Sequence, residues 1–445
     1  MNKLLFIPAI ILTLSACNNQ SQKGKTDAGA QKTLSDDSLL NLVQYQTFQY
    51  FWDGAEEMSG MARERYHMDD EYPTSPKEVV TSGGSGFGLM AMIVGIERGF
   101  ITRQEGIERF DKILTFLENA DTFHGAWPHW WDGTTGKAYP FSKKDDGGDI
   151  VETSFLVQGL LTVRQYLNEE DANEAALIDR INTLWRNIEF DWYTMGEDTL
   201  HWHWSPNYAF EMDHEIKGYN ECLITYVIAA SSPTHPIEPS VYHEGWAMGG
   251  KIAEDTTVYS LSTVLNHYSG NGPAVGPLFW AHYSYLGMNP KGLTDRYGDY
   301  WKLNQNHALI HYKYAVENPE GYKGYGEKVW GLTSSYSIKG YVGHRPGNDR
   351  GVISPTAALS SMPYTPEESF AMLRWMYTEA DTLVGEYGPY DAFSIEHGWY
   401  TPRYLAIDQG PIPVMIENYR TGLLWELFMS APEMQDGLRK LGFTF

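Results

Sequence analysis

Three carboxylates lie close together in the sequence where a glycine-containing loop leads into an apolar segment. Asp145, Asp149 and Glu152 are spaced four and three residues apart, so a helical conformation places them on one face. Like charges held this close raise at least one pKa, and a carboxylic acid that stays protonated near neutrality can donate the proton that hydrolysis of a glycosidic bond requires. A structural role is an equally good interpretation, because Asp149 suits a helix N-cap and Glu152 its reciprocal partner.

Two more acids occupy sequence contexts that suit proton transfer. Glu221 follows Asn220 at the start of an apolar segment. A first-turn carboxylate stabilised by the helix dipole is the ordinary explanation there, and the residues alone favour it. Asp408 lies on a loop with an apolar flank ahead of a segment beginning at Pro413. It suits either a buried general base or a structural acceptor for loop amides.

Aromatic and imidazole side chains cluster in the loops near these acids. Flat rings stack on the apolar faces of sugars while their polar edges form hydrogen bonds, so loop aromatics favour a carbohydrate site. For any one of these residues, packing in the core is the commoner role. The candidate substrate contacts are Trp127, His129, Trp130, Trp202, Trp204, Trp280, His282, Tyr283 and Trp399.

The evidence for a metal or a cofactor is weaker. His201 and His203 alternate as they would in a strand, and with His129, His282 or Asp213 they offer a ligand set. The chain has no His-Glu-X-X-His motif and no set of cysteine ligands, so we expect no catalytic metal. A Gly-X-Ser-X-Gly elbow, a P-loop and a dinucleotide fingerprint are also absent from the sequence, and we expect no cofactor.

The elements that must position these residues are mostly helices. Apolar residues recur at helical spacing in about twelve segments, including 152–167, 221–230, 304–316, 366–380 and 413–429. Asn220 and Thr365 are predicted N-caps, and residues 194–204 resemble a β-hairpin. With no break in composition, the pattern predicts one all-α domain over residues 36–445, with paired helices around a ring and a site built from loops at one end.

The N-terminus reads as a lipoprotein export signal. Lys3 precedes the apolar run Leu4–Leu14, which is too short to span a bilayer, and Leu14-Ser15-Ala16-Cys17 resembles a bacterial lipobox. This predicts removal of residues 1–16, lipidation of Cys17 and a flexible tether from residue 17 to 35. The protein is then anchored in the bacterial outer membrane, facing the periplasm or the cell exterior. Cys222 is the only other cysteine, so no intramolecular disulfide remains possible.

Composition excludes one class of partner. The chain has 57 acidic and 33 basic residues and a formal charge of -24, which repels nucleic acid. Its 15 tryptophans and 30 tyrosines suit either a sugar site or an aromatic core. We expect a monomer that binds an oligo- or polysaccharide and contacts the membrane only through its lipid.

Several stretches resemble one known family. They are the contexts of Asp145, Asp149, Glu152 and Glu221, together with Gly276-Pro277-Leu278-Phe279, Ile353-Ser354-Pro355-Thr356-Ala357-Ala358 and the run from Ile407 to Trp425. From about Leu39 to the C-terminus the chain is similar to the family called "putative glucoamylase". Within that family it resembles glycoside hydrolase family 144, the bacterial β-1,2-glucanases.

This resemblance implies an (α/α)6 barrel, an inverting mechanism and no catalytic cofactor. It implies Glu221 as the general acid and Asp145, Asp149 and Glu152 as site carboxylates, with Asp149 or Asp408 as the base. Tyr283 stands where relatives commonly have Gln, which leaves endo and exo action open. The alternatives are a lipid-anchored glycan-binding protein, which needs no clustered carboxylates, a glucoamylase-type hydrolase of another linkage, and a lyase for uronic polymers. A lyase needs cationic residues where these loops are acidic.

Overall fold

Helices alternate along the chain between an inner and an outer layer. The computed structural model describes residues 34–267 and 275–445, so the signal segment, Cys17 and nearly all of the tether lie outside the described residues. The α-helices are α1 (Asp36–Trp52), α2 (Ser82–Glu97), α3 (Arg103–Asn119), α4 (Ile150–Tyr166), α5 (Ala172–Arg186), α6 (Leu223–Ser231), α7 (Tyr300–Glu317), α8 (Pro355–Leu359), α9 (Pro366–Thr378), α10 (Ala406–Gln409), α11 (Pro411–Arg420), α12 (Leu423–Ser430) and α13 (Pro432–Lys440).

The inner layer consists of elements that are apolar and buried on nearly every side. These are α2, α4, α6, the 3-10 segments Leu278–Ala281 and Tyr283–Tyr285, α8 and α11. A helix that is apolar all round must be enclosed by other elements. Helix α2 packs on α4, α4 on α6, α6 on Tyr283–Tyr285, and α11 on both α8 and α2. His282, between the two 3-10 segments, bonds Ser361, just after the end of α8, at 3.0 Å, which completes the ring.

The outer helices bury only one stripe each. In α3 this stripe comprises Gly106, Phe110, Ile113, Leu114 and Leu117, at the spacing of one helical face. Helices α5 and α9 show the same pattern. The alternation of enclosed and amphipathic helices confirms the predicted all-α barrel of paired helices. Residues 35–445 form one compact unit, and no helix in the described part is both long and apolar enough to cross a membrane.

Helices α2 and α4 approach each other closely because glycine lies at their crossing. A Cβ on Gly159 would lie 2.2 Å from the carbonyl oxygen of Gly86, and a Cβ on Gly86 would lie 2.2 Å from the carbonyl oxygen of Phe155. Both contacts are with backbone, which cannot rotate away. Glycine is therefore required on both sides of this contact.

We expect the substitution Gly159→Ala to destabilise the protein by about 1–3 kcal/mol, because the added methyl group forces the two inner helices apart. Chemical denaturation followed by circular dichroism measures this loss. Gly343→Ala is the matched control, since its Cβ would meet only the hydroxyl of Ser334 at 3.3 Å. Equal stability of the two variants would contradict the expectation.

Short antiparallel strand pairs connect the helices. The strands are β1 (Arg65–His67), β2 (Val79–Thr81), β3 (Trp130–Asp132), β4 (Ala138–Tyr139), β5 (Gly148–Asp149), β6 (His203–Trp204), β7 (Thr257–Val258), β8 (Leu261–Ser262), β9 (Ser334–Tyr336), β10 (Tyr341–Gly343), β11 (Val384–Gly385), β12 (Gly388–Pro389), β13 (Phe393–Ser394), β14 (Trp399–Tyr400) and β15 (Arg403–Leu405). Three of the pairings are non-local: β1 pairs with β15, β2 pairs with β3, and β5 pairs with β6.

The structure corrects several predicted elements. Residues 194–204 do not form a hairpin, because β6 pairs with β5, with His203 opposite Asp149. The predicted helix 413–429 is two helices, α11 and α12, separated at Gly422, whose φ of +79° interrupts the helical path. Thr365 precedes α9 without a capping bond, since its hydroxyl contacts Ser361 and Ser369 instead.

The start of α6 also differs from the prediction. Helix α6 begins at Leu223, and the side-chain oxygen of Asn220 accepts a hydrogen bond from the Cys222 amide at 2.9 Å. Glu221 therefore lies in the turn before the helix rather than in its first turn. That position leaves its side chain free to point away from the helix.

Candidate active site

A cavity of about 450 Å³ opens where the inner helices begin. Thr81 immediately precedes α2, Glu152 is in the first turn of α4, and Glu221 precedes α6, so three inner helices direct their N-termini toward it. The positive ends of helix dipoles favour negative charge at this end of the barrel. The cavity is lined by Glu64, Arg65, Thr74, Ser75, Thr81, His129, Trp130, Phe141, Glu152, Phe155, Trp202, Glu221, Phe279, Tyr283, Ser334, Tyr336, Tyr341, Leu405 and Ile407.

Asp149 both caps a helix and holds two side chains of the site. Its Oδ1 accepts hydrogen bonds from the amides of Val151 at 3.0 Å and Glu152 at 2.9 Å, which is the N-cap geometry of α4. Its Oδ2 lies 2.9 Å from Nδ1 of His129 and accepts a bond from Nε1 of Trp202 at 3.1 Å. The structural and the functional interpretations of this residue are thus compatible, because each oxygen serves one of them.

His129 is surrounded by the predicted carboxylates. Its Nδ1 lies 3.6 Å from Asp145, and its Nε2 lies 4.0 Å from Oε1 of Glu152. Burial disfavours the charged ring, but Glu152, Asp145 and Asp149 outweigh it and raise the pKa of His129 well above its usual value. Burial alone would raise the pKa of Asp149, but the reciprocal effect of His129 lowers it below its usual value. At neutral pH His129 is a cation and Asp149 an anion.

Glu152 reaches the cavity from the first turn of α4. Its Oε2 accepts a hydrogen bond from the amide of Gly83 at 3.0 Å, at the start of α2. Burial, together with the charge on Asp149, raises the pKa of Glu152 to about 7, although the His129 cation opposes the shift. Glu152 therefore exchanges a proton within the physiological range.

Glu221 faces the same cavity from the turn before α6. The hydroxyl of Ser284 donates a hydrogen bond to its backbone carbonyl, which fixes the main chain there. Burial raises the pKa of the Glu221 carboxyl to about 7, and the charges on Glu152 and Asp149 add to that effect. Carboxyl groups with raised pKa values inside a cavity are a feature of sites of acid/base catalysis.

Asp408 lies behind the cavity wall. It is 3% exposed, and neither carboxyl oxygen has a hydrogen-bond partner within the described residues. Burial, followed by the nearby Asp391, raises the pKa of Asp408 well above its usual value. Asp391 accepts a bond from the amide of Tyr336 at 2.7 Å. The neighbouring Leu405 and Ile407, rather than Asp408, line the cavity.

Four of the predicted substrate contacts lie at the cavity surface. They are His129, Trp130, Trp202 and Tyr283. Phe141 stacks on His129, with ring centroids 4.3 Å apart, and also packs edge-on against Trp130. These rings form an aromatic wall beside the carboxylates, which is the arrangement expected for a sugar-binding surface.

The other five predicted contacts are outside this lining. Trp127 is 1% exposed, and its backbone carbonyl accepts the amide of Asp149. Trp204 packs on His124, and Trp280 packs on Tyr219. The remaining two are His282, which is buried and bonded to Ser361 at 3.0 Å, and Trp399, which pairs with Ser394 in β14. Each of the five has packing or pairing partners in the folded chain, and none of them lines this cavity.

Several lining residues were missed by the sequence analysis. Arg65 donates from Nε and Nη2 to the two carboxylate oxygens of Glu64, and from Nη1 to the hydroxyl of Tyr336 at 3.2 Å. Tyr336 lies opposite Tyr341 in the β9–β10 pair. For Glu64 and Arg65, the sequence signal that could have indicated a site was two oppositely charged residues next to each other. The tyrosines give none, because nothing near them in the sequence indicates that the chain returns to the site.

Comparison with known proteins decides the family. A profile described as "Putative glucoamylase" matches residues 213–432. A solved endo-β-1,2-glucanase from Chitinophaga pinensis, in complex with sophorotriose and glucose, is 59% identical with a TM-score of 0.91, over 93% of this chain and 99% of that one. The chain belongs to glycoside hydrolase family 144.

One further relative agrees with this membership, and one distant structure shows the fold alone. An exo β-1,2-glucooligosaccharide sophorohydrolase from Parabacteroides distasonis is 45% identical over 95% of this chain, but the chain spans only 60% of that protein's length. An endo-β-1,2-glucanase of Talaromyces funiculosus shares 12% identity at a TM-score of 0.66, which shows a common fold. The resemblance inferred from the contexts of Asp149, Glu152 and Glu221 is thus confirmed at the level of the family.

Proposed function

We propose that this family 144 member hydrolyses β-1,2-glucan with inversion at the anomeric carbon. The observation that carries the proposal is the pair Glu152 and Glu221, one buried and one partly buried, whose carboxyls have pKa values of about 7 and line one aromatic-walled cavity. An inverting glycosidase needs one protonated acid and one ionised base in such a cavity. The linkage is supported by the Chitinophaga pinensis and Parabacteroides distasonis relatives.

In this proposal Glu221 protonates the departing glycosidic oxygen, while Glu152 removes a proton from the attacking water. Glu152 lines the cavity, whereas Asp145, Asp149 and Asp408 do not, so Glu152 is the better-placed base. Asp149 acts as a positioning residue: it orients His129 and Trp202 and caps the helix that carries Glu152. This assignment replaces the bases that the family resemblance had suggested, Asp149 and Asp408.

Endo action is the proposed cleavage mode. The solved endo-acting relative is 59% identical and matches this chain over nearly its full length, whereas the exo-acting relative is 45% identical and contains a large unmatched portion. The greater similarity to the endo-acting relative favours a cavity of the same shape as in that enzyme, and therefore endo cleavage.

Product analysis of the purified protein on linear β-1,2-glucan tests the activity and the mode together. Sophoro-oligosaccharides of mixed length, appearing early, support endo cleavage. Sophorose alone from the start of the reaction supports exo cleavage instead. Binding of the polymer without hydrolysis would reject the enzyme and leave a glycan-binding protein. Starch run in parallel tests the glucoamylase-type alternative.

A narrow pH optimum near neutrality is the expected kinetic signature. The base, Glu152, must be ionised, so kcat/KM falls as the pH drops below about 7. The acid, Glu221, must be protonated, so kcat/KM falls as the pH rises above about 7. Initial rates on β-1,2-glucan from pH 4 to 10 measure both limbs. A flat profile from pH 5 to 9 would contradict the two assignments.

We further propose that the protein is exported and anchored through a lipid on Cys17. Support comes from the basic start, the short apolar run and the Leu14-Ser15-Ala16-Cys17 motif. We expect Cys17→Ser to move the protein from the membrane fraction to the soluble fraction, as measured by fractionating cells that express either form. Cys222→Ser is the control and leaves the distribution unchanged. Membrane association of the Cys17→Ser form would reject the anchor.

A further inference from the structure

A second cluster of ligand-type side chains lies outside the cavity, on the segment that carries Trp202 and His203. Glu197, His201 and Glu215 place one carboxylate or imidazole atom each within 4.8 Å of one another. None of the three lines the cavity. The cluster therefore has no part in the chemistry proposed for Glu152 and Glu221.

The backbone brings these three side chains together. His201 and Glu215 lie opposite each other in an antiparallel bridge, and cross-strand partners project to the same face. Flanking bonds fix that register: the amide of Trp202 donates to His214 at 2.9 Å, and the amide of Ile216 donates to Leu200 at 2.8 Å. Glu197 enters from a turn that its amide closes onto Thr194 at 2.9 Å.

His201 supplies independent evidence for a ligand. Its ring is buried, with the residue 2% exposed, yet neither Nδ1 nor Nε2 has a hydrogen-bond partner among the described residues. Nε2 lies 3.5 Å from Glu197, and Nδ1 lies 3.7 Å from Asp213, both beyond hydrogen-bond length. Leaving a buried polar group unpaired costs free energy, so two unpaired nitrogens require an explanation.

We propose that Glu197, His201 and Glu215 bind a divalent transition-metal ion, with Zn²⁺ the best match. One imidazole and two carboxylates are ligands that Zn²⁺ accepts, whereas Ca²⁺ and Mg²⁺ take oxygen ligands. The two carboxylates balance the charge of the ion. Lys217 lies 2.7 Å from Oε1 of Glu215, so the proposed ion takes the other carboxylate oxygen, Oε2.

The proposed ion is structural. His201 lies two residues before His203, whose Nε2 is 3.4 Å from Asp145 and 3.6 Å from Asp149. An ion bound by Glu197, His201 and Glu215 joins these residues. It thereby holds the segment that places Trp202 and His203 next to Asp149. Metal binding therefore stabilises the folded protein without entering the catalytic cavity.

Calorimetric titration of tag-free, EDTA-treated protein with Zn²⁺ tests the proposal. We expect one site per chain, a melting temperature raised by a saturating excess of Zn²⁺, and a visible absorption spectrum of tetrahedral type when Co²⁺ replaces it. The affinity should fall at least about ten-fold in His201→Gln. Glu197→Gln alters a side chain that is 58% exposed, so it tests the same site without threatening the fold.

Two control variants locate the site. His129, Asp145 and Asp149 form another metal-type group, in the cavity, so Asp145→Asn must leave the Zn²⁺ affinity unchanged. His235→Gln, at a histidine bound to Asp191 elsewhere, must do the same. The proposal is overturned if the native protein, His201→Gln and Glu197→Gln bind Zn²⁺ equally well. It is also overturned if the native protein does not bind Zn²⁺ at about 100 μM, or if Asp145→Asn loses binding. These readouts do not depend on hydrolysis, so failure here is distinct from failure of the proposed activity.

Discussion

Substitution of Glu221 by glutamine is expected to lower kcat on β-1,2-glucan by about 10²–10⁴-fold, the range that a positioned general acid contributes. Glutamine keeps the shape of the side chain but has no proton to give the departing oxygen. Substrate binding should be retained, because the aromatic wall of Trp130, Trp202 and Phe141 is untouched. Steady-state kinetics with β-1,2-glucan, together with calorimetric binding of the same polymer, separates the two effects.

The choice of substrate identifies Glu221 as the acid. In an aryl β-sophoroside the nitrophenolate leaving group departs without protonation. The Glu221→Gln variant should therefore lose much less activity on this substrate than on the polymer. The basic limb of the pH profile should also disappear. Glu211→Gln is the matched control, since Glu211 is 63% exposed and pairs with Lys144 on the surface. Unchanged turnover of the polymer by Glu221→Gln would remove this residue from the mechanism.

Substitution of Glu152 by glutamine is expected to cost a similar factor of about 10²–10⁴ in kcat, but by removing the base. The amide oxygen of glutamine can still accept the bond from Gly83, so the contact between α2 and α4 persists. The loss should be equally large on the polymer and on the aryl sophoroside, because water must be activated in both reactions. Kinetics on the two substrates therefore distinguishes this variant from Glu221→Gln.

Two further measurements guard the assignment of Glu152. The acidic limb of the pH profile should vanish in Glu152→Gln, since that limb reports ionisation of this carboxyl. Thermal unfolding should match that of Glu211→Gln, which excludes loss of fold as the cause of low activity. If Glu152→Gln retains the acidic limb and Asp149→Asn abolishes it, Asp149 is the base and Glu152 a positioning residue.

Local pattern was sufficient to predict the helical architecture, because a helix buried on one face must repeat its apolar residues every three to four positions. It was also sufficient to select Asp149 and Glu152 as candidates, whereas Glu221 became the leading acid only through the family resemblance. Boundaries were less accurate where a single backbone conformation decides them. Gly422 divides the last predicted helix through its positive φ, which hydrophobic periodicity does not record.

Aromatic residues show a limit of local reasoning. Trp130 and Trp127 are three residues apart and equally aromatic, yet Trp130 lines the cavity and Trp127 is buried beneath it. Trp127 precedes β3, and β3 itself has only three residues, which is too short for period-two alternation to assign a face to Trp130. Core packing and sugar binding require the same residue type, so only the surrounding elements distinguish them.

The sequence by itself determined the fold class, the family and the set of acids from which the proposed catalytic pair is drawn. Tertiary structure alone decided which acids face the cavity and how each is charged. Desolvation and nearby charges set those pKa values, and both depend on residues that are distant in the chain. His129, just before β3, contacts Asp149, and Tyr336 contacts Arg65 across about 270 residues. Pairings as distant as β1 with β15 leave no periodic trace, because their register is fixed only when the barrel closes.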